Sequence, residues 1–116
     1  MQRPFRLRRG ADFARLRAEG RTWHHPFVTM AVAPNTLGHN RYGFIVSRRL
    51  GGAVVRNRVR RQIREAVRLA MPNLRAGFDI SFIARNEIGG QPYNKIKDAL
   101  DELFRRAKLL NKEGEA

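Results

Sequence analysis

Hydrophobic residues between Val55 and Ala70 recur at spacings of three and four, which is the period of one face of an α-helix. We therefore predict a helix over Ala53–Ala70, and Pro72 marks its end because proline cannot continue the helical hydrogen bonding. The members of its apolar stripe are Val55, Val59, Ile63, Ala66, Val67 and Ala70. A second stripe predicts a last helix over 93–110. Its members are Ile96, Leu100, Leu103, Phe104 and Ala107.

Three other segments have the composition and alternation of β-strands. The first runs over 27–33 and the others over 41–46 and 77–85. Alternation in the first places Phe27, Thr29 and Ala31 on one face and Val28, Met30 and Val32 on the other. The loop over 34–40, which contains Gly38, predicts a hairpin-type connection between the first two strands. If the first run is broken, the segment 41–46 is instead the third strand of the sheet.

A short helix is predicted ahead of these strands, over Gly10–Gly20. Asp12 suits its first turn, Phe13 and Leu16 share one face, and Gly20 suits a C-terminal cap. The residues at 23–26 are predicted to form an irregular entry to the first strand. Residues 1–9 are predicted to form a basic arm and residues 111–116 a frayed tail.

These elements predict one α+β domain over residues 10–110, an α/β sandwich in the order αβββαβα with helices on a mixed sheet. The strand at 41–46, the helix at 53–70 and the strand at 77–85 form a predicted parallel βαβ unit. The length of 116 residues fits a single modest core.

The helix over 53–70 carries arginine on the side opposite its apolar stripe. Between Arg41 and Arg68 the chain has many arginines and a single acid, Glu65. A solvated helix face usually mixes charges of both signs, because like charges one turn apart repel. The whole chain has a formal net charge of +14. The pattern favours a nucleic-acid partner, with an acidic protein or an anionic membrane surface as alternatives.

Other features narrow the class of protein. The absence of cysteine excludes disulfides and thiolate sites, and fits a reducing cytoplasm. We predict a cytoplasmic protein without a membrane span, because no apolar run is long enough. The ten acids are scattered or lie late in the chain, and the pair His24 and His25 lacks further ligands, so we predict neither protein catalytic residues nor a protein metal site. DNA stays open as a ligand, although no zinc finger or helix-turn-helix pattern is present.

The segment VSRRLGGAVVRNRVRRQIRE closely resembles the signature of the bacterial ribonuclease P protein family. Its centre is Arg56-Asn57-Arg58, which matches the RNR motif of the family. The pattern around Asp12-Phe13 and Gly20 also matches, as does the strand end over 83–86. The resemblance extends over residues 5–110.

The resemblance implies the small subunit of a ribonucleoprotein that removes the 5′ leader from precursor tRNA. It implies that the RNA subunit carries the catalysis with RNA-bound Mg²⁺, and that a monomeric protein binds one RNA. The residues it implies for contact with the catalytic RNA are Arg48, Arg49, Arg56, Asn57, Arg58, Arg60, Arg61, Arg64 and Arg68. Two alternatives stay open, namely a ribosomal-type or chaperone-like RNA-binding protein and a nuclease that acts without RNA.

The resemblance also implies a cleft between the first helix and the sheet that binds the single-stranded leader. On this chain the implied lining is Phe13, Arg17, Phe27 and Met30, with Ser47 and Arg48 at the rim. Stacking and phosphate contacts suit a leader of variable sequence better than readout of base edges. The family resemblance further implies a left-handed βαβ crossover, against the usual rule.

Overall fold

A computed structural model of the protein describes residues 5–7 and 9–111. The predicted arm over 1–9 and tail over 111–116 lie mostly outside these residues. The order αβββαβα is confirmed. The elements are α1 Gly10–Glu19, β1 Arg21–His24, β2 Val28–Pro34, β3 Arg41–Ile45, α2 Ala53–Ala70, β4 Phe78–Ala84 and α3 Tyr93–Arg106.

The four strands form one mixed sheet in the order β1-β2-β4-β3. β4 is parallel to β3 and antiparallel to β2, which confirms the predicted βαβ unit. The hand of its crossover stays a prediction. The predicted hairpin across 34–40 is wrong, because β4 lies between β2 and β3 and takes the hydrogen bonds of both. The hairpin of this fold instead joins β1 to β2.

The main core lies between the sheet and the two long helices. Met30, Phe82 and Phe44 lie side by side across three strands on this face, and α2 and α3 cover them. The apolar stripe of α2 is buried as predicted, except that Val55 in the first turn is 39% exposed. The last helix is shorter than predicted and ends at Arg106.

A backbone reversal explains the early end of α3. Lys108 adopts a left-handed conformation with φ 57°. The amide of Leu109 then donates to the carbonyl of Phe104 at 3.0 Å, and that of Lys108 donates to Arg105 at 3.1 Å. These two bonds form a Schellman motif, which caps the last carbonyls of a helix. An apolar stripe alone does not reveal such a reversal, since Leu109 is also buried.

The other face of the sheet is covered by α1. The ring of Phe13 lies over β3 at Gly43, where a Cβ would come within 2.6 Å of that ring. Gly20 does cap α1, but with an ordinary φ of −79°. Glycine is needed there for lack of space, because a Cβ would lie 2.4 Å from the carbonyl oxygen of Leu16 and 3.0 Å from that of Val32 in β2. Two glycines therefore allow α1 to lie close to the sheet.

Asp79 of the sheet anchors α1. This residue of β4 is fully buried, and its carboxylate accepts hydrogen bonds from Arg15 of α1, from Asn35 at 2.9 Å and from Arg41 at 3.0 and 2.8 Å. Burial raises the pKa of this carboxyl, but the hydrogen bonds from Arg41 and Asn35 outweigh burial and lower the pKa of Asp79 below its usual value. Asp12 of α1 pairs with Arg41 as well, at 3.4 Å. The sequence analysis did not foresee this network.

Candidate nucleic-acid interface

The side of α2 that faces away from the core is an arginine surface, as its sequence predicts. Arg58, Arg61 and Arg64 are exposed, and Arg56 and Arg60 are half-buried. A short 3-10 turn precedes the helix and contacts it, and adds two further exposed cations, Arg48 and Arg49. We call this set the α2 arginine face. Its members are Arg48, Arg49, Arg56, Arg58, Arg60, Arg61 and Arg64.

Arg68 differs from the members of the α2 arginine face. Its guanidinium donates to both carboxylate oxygens of Glu65, at 2.9 and 2.6 Å. The hydrogen bond from Arg68 lowers the pKa of Glu65. The single acid of this stretch is therefore already engaged by Arg68, which leaves the rest of the face strongly positive.

One polar contact and one buried donor mark the face at the RNR motif. The side-chain oxygen of Asn57 accepts a hydrogen bond from Arg60 at 2.9 Å, so Asn57 holds Arg60 in place. The Nε atom of Arg56 is buried and has no hydrogen-bond partner among the described residues. A buried donor without a partner is costly. The sequence analysis assigned Asn57 to RNA contact, whereas its oxygen is engaged within the protein.

A partly exposed patch lies on the opposite face of the sheet, beside α1, where the family resemblance implies the leader cleft. Phe13 is half-buried at its edge, and Arg17 is exposed one turn further along the helix. Beyond Phe13 the cross-strand pair Ile45 and Ile83 is only partly covered, and strand alternation directs both toward the α1 side. Ser47 follows at the end of β3, where its hydroxyl accepts a hydrogen bond from the amide of Arg49.

One residue implied for this cleft lies elsewhere, and another contacts the main core. Met30 is fully buried in the main core, on the face of the sheet that α2 and α3 cover, so its assignment to the cleft is wrong. Phe27 precedes β2, contacts the main core and lies 5.1 Å from the ring of His25. The sequence analysis missed Ile45 and Ile83, although the alternation that placed Thr29 and Met30 on opposite faces was a usable signal.

The described residues contain neither a metal-binding cluster nor a membrane-spanning helix. Over residues 5–7 and 9–111, no three side chains of histidine, cysteine, aspartate or glutamate come together in a way that could hold a metal ion. Within the same ranges no helix has both the length and the apolar character required to cross a membrane.

Comparisons with known proteins point to one family. The sequence model of the family described as Ribonuclease P matches residues 1–108. The chain is similar to the ribonuclease P protein component of Roseiflexus castenholzii, with 51% identity over 111 residues that cover 95% of this chain and 91% of that protein. The corresponding protein of Chloroflexus aurantiacus is 49% identical over 95% of this chain and 82% of its own length. The solved RNase P protein of Staphylococcus aureus superimposes with a TM-score of 0.86 at 30% identity, and covers 92% of this chain and 98% of that chain.

Proposed function

Because this chain belongs to the ribonuclease P protein family, we propose that it binds the catalytic RNA of a ribonuclease P and the 5′ leader of precursor tRNA. In this proposal the RNA performs the hydrolysis with RNA-bound Mg²⁺, and the protein supplies no catalytic side chain. The protein is a cytoplasmic monomer that binds one RNA and makes the precursor a better ligand than the mature product.

The observation that carries the proposal is the α2 arginine face. Its seven arginines include five that are exposed, and the nearby acid Glu65 is held by Arg68. Repulsion among these arginines raises the free energy of the folded protein until an anion compensates their charge. A folded RNA places phosphates densely enough to do so, and arginine binds phosphate oxygens in a bidentate manner. We assign this face to the catalytic RNA.

The cleft beside α1 supports the second part of the proposal. Its lining combines the ring of Phe13, the partly exposed Ile45 and Ile83, and the cation of Arg17. An apolar floor with a cationic rim suits single-stranded RNA, whose bases can stack or lie on apolar groups while arginine binds the phosphates. Because the arginine face and the cleft lie on different sides of the sheet, both RNAs can be bound together.

The direct test is cleavage of precursor tRNA at low Mg²⁺ with the protein alone, with a bacterial ribonuclease P RNA alone, and with both. We expect activity to rise sharply only when both are present, since the protein neutralises phosphates that Mg²⁺ otherwise screens. Cleavage by the protein alone would support a nuclease that acts without RNA. No effect of the protein on the RNA would leave a general RNA-binding protein and would refute the proposal.

A salt titration tests the arginine face separately. Exchanging Arg58 and Arg61 for glutamine removes two phosphate contacts. The slope of log affinity for the catalytic RNA against log salt concentration should therefore become less steep by about 1.4–1.8. Between about 50 and 200 mM salt, the variant should therefore lose roughly tenfold less affinity than the wild type loses. The matched control exchanges Lys95 and Arg105, two exposed cations of α3, and should leave the slope unchanged. Equal slopes in both variants would contradict the assignment of the face.

Leader binding is tested by comparing precursor and mature tRNA. Arg17→Gln should weaken binding of the precursor by the holoenzyme several-fold and leave binding of mature tRNA unchanged, because only the precursor reaches the cleft. Arg105→Gln removes an equally exposed helical arginine from the opposite layer and serves as the control. An equal loss for both RNAs in the Arg17 variant would show that the cleft does not bind the leader.

A further inference from the structure

A cavity of about 330 Å³ opens at the outer edge of the sheet, between β3 and α2. Arg6, Arg60 and Arg64 contribute to its lining, and the described lining includes no acidic side chain. Arg60 and Arg64 are one helical turn apart, so both face β3 from the same side of α2. The cavity is small for a folded RNA helix, and lies at the lower end of the range for small-molecule sites.

An aromatic stack leads from the core to this cavity. The ring of Phe104 meets Phe82 edge-on at 6.0 Å, and Phe82 stacks on Phe44 at 5.6 Å with an angle of 16° between the rings. The guanidinium of Arg64 lies over Phe44, 5.6 Å from the ring centroid. This distance is within the range of a cation–π contact. Arg64 is therefore positioned from below, although its side chain is exposed.

The side chain of Arg60 and the backbone of Arg6 are also held in place. Arg60 donates to the side-chain oxygen of Asn57 at 2.9 Å. Arg6 forms a parallel bridge with Tyr42, and the following amide, of Leu7, donates to the Tyr42 carbonyl at 2.8 Å. The N-terminal segment thus extends the sheet at β3 and forms one wall of the cavity. A preorganised site with three cations and no acid suits an anion better than it suits water.

We propose that this cavity binds one unpaired nucleotide of an RNA, with its phosphate between Arg6 and Arg60 and its base stacked on the guanidinium of Arg64. Unpaired bases stack well on guanidinium groups, and the contact with Phe44 holds the guanidinium of Arg64 beside the cavity. The inference deepens the proposed function, on which it rests, by naming a discrete nucleotide site within the arginine face. It also assigns Phe44 as a positioning residue that acts through Arg64.

The test is a titration of the full-length protein, followed by NMR, with uridine 5′-monophosphate, inorganic phosphate and uridine at constant ionic strength. We expect the nucleotide to shift the amide signals of Gly43 and Phe44 and the Nε signal of Arg64. It should bind at least roughly fivefold more tightly than phosphate, since one stacked base contributes that much or more. Equal affinity for the nucleotide and for phosphate would overturn the proposal and leave a simple anion site.

Two surface variants make the test specific. Arg64→Gln should reduce nucleotide affinity at least roughly fivefold, to that of phosphate, because the stacking platform is lost. Arg105→Gln removes the same charge from an exposed position of α3 outside the cavity, and should change nucleotide affinity less than about twofold. Equal losses in the two variants would overturn the proposal. Phe44→Leu, which keeps an apolar side chain below Arg64, should give an intermediate loss.

The cleavage assay separates this inference from the proposed function. If the protein stimulates the catalytic RNA at low Mg²⁺ but the nucleotide does not bind the cavity, the nucleotide site is refuted and the proposed function stands. If the nucleotide binds as expected but the protein does not stimulate cleavage, the site is supported and the ribonuclease P role is refuted.

Discussion

Replacing Asp79 by asparagine should destabilise this fold more than any other single change at a polar position discussed above. The carboxylate is fully buried in β4 and accepts hydrogen bonds from three side chains. Arg15 belongs to α1, Asn35 to the loop that follows β2, and Arg41 to β3, so these bonds join three segments to β4. Asparagine has nearly the same shape but no charge. The substitution therefore removes the electrostatic part of the network and leaves the packing in place.

The size of the loss follows from the partners. Removing one member of a buried ion pair costs about 3–5 kcal/mol when the other charge stays buried. Here the side chains of Arg15 and Arg41 are 31% and 23% exposed, so water can partly solvate them after the change. We therefore expect the free energy of unfolding to fall by about 3 kcal/mol, toward the lower limit of that range. This is a large share of the roughly 5–15 kcal/mol that stabilises a typical domain.

The loss should depend on pH. The pKa of Asp79 is lowered in the folded protein, so its stabilisation is complete above the unfolded value of about 3.9 and is lost as pH falls through the folded value. The difference between the wild type and Asp79→Asn should therefore be constant from about pH 7 to about pH 5 and shrink below about pH 4.

Urea unfolding measures this difference, with Trp23 as the probe because it is the single tryptophan and packs against the main core. The control is Asp98→Asn on the exposed side of α3, which should cost less than about 0.5 kcal/mol. The reasoning is refuted if Asp79→Asn unfolds at the wild-type urea concentration. It is also refuted if the difference stays the same at about pH 3 as at neutral pH, because the lost charge would then not be its cause.

Three further changes test the fold. Lys108→Gly should raise the free energy of unfolding by roughly 0.5–1 kcal/mol in urea melts, because it relieves a left-handed φ at a smaller cost in chain entropy; an unchanged midpoint would argue against strain there. Gly20→Ala should destabilise the protein in the same assay, because the added Cβ would lie 2.4 Å from the Leu16 carbonyl oxygen, whereas Gly10→Ala, with open space around its Cβ, should not. Met30→Ala should lower the free energy of unfolding by about 2–5 kcal/mol, because Met30 is fully buried. The preference of the folded holoenzyme for precursor over mature tRNA should not change; a selective loss of precursor binding would show that Met30 lines the cleft after all.

The helices and the cationic surface could be predicted from local sequence. Helix α2 occupies Ala53–Ala70, as its apolar stripe predicts, because residues three and four positions apart lie on the same face of a helix. The arginines then lie on the opposite side of this helix, whichever part of the protein its apolar side packs against. The strands β3 and β4 were also predicted to within one residue at each end, since each is a continuous or alternating apolar run. The predicted order has three strands before α2, but the edge strand β1 was not located at Arg21–His24, because Trp23 is its only apolar residue.

Contacts between distant parts of the chain decided the rest. The place of β4 between β2 and β3 depends on which strands exchange backbone hydrogen bonds, and the side-chain pattern of any one strand does not encode this. The same placement buries Asp79 beneath Arg15, 64 residues away in sequence. It also brings Phe44 under Arg64 and Arg6 beside Tyr42. The sequence by itself determined which faces are apolar and which are cationic, because these are local properties. Only the tertiary structure decided which faces meet, because that choice depends on packing and hydrogen bonds between segments far apart in the chain.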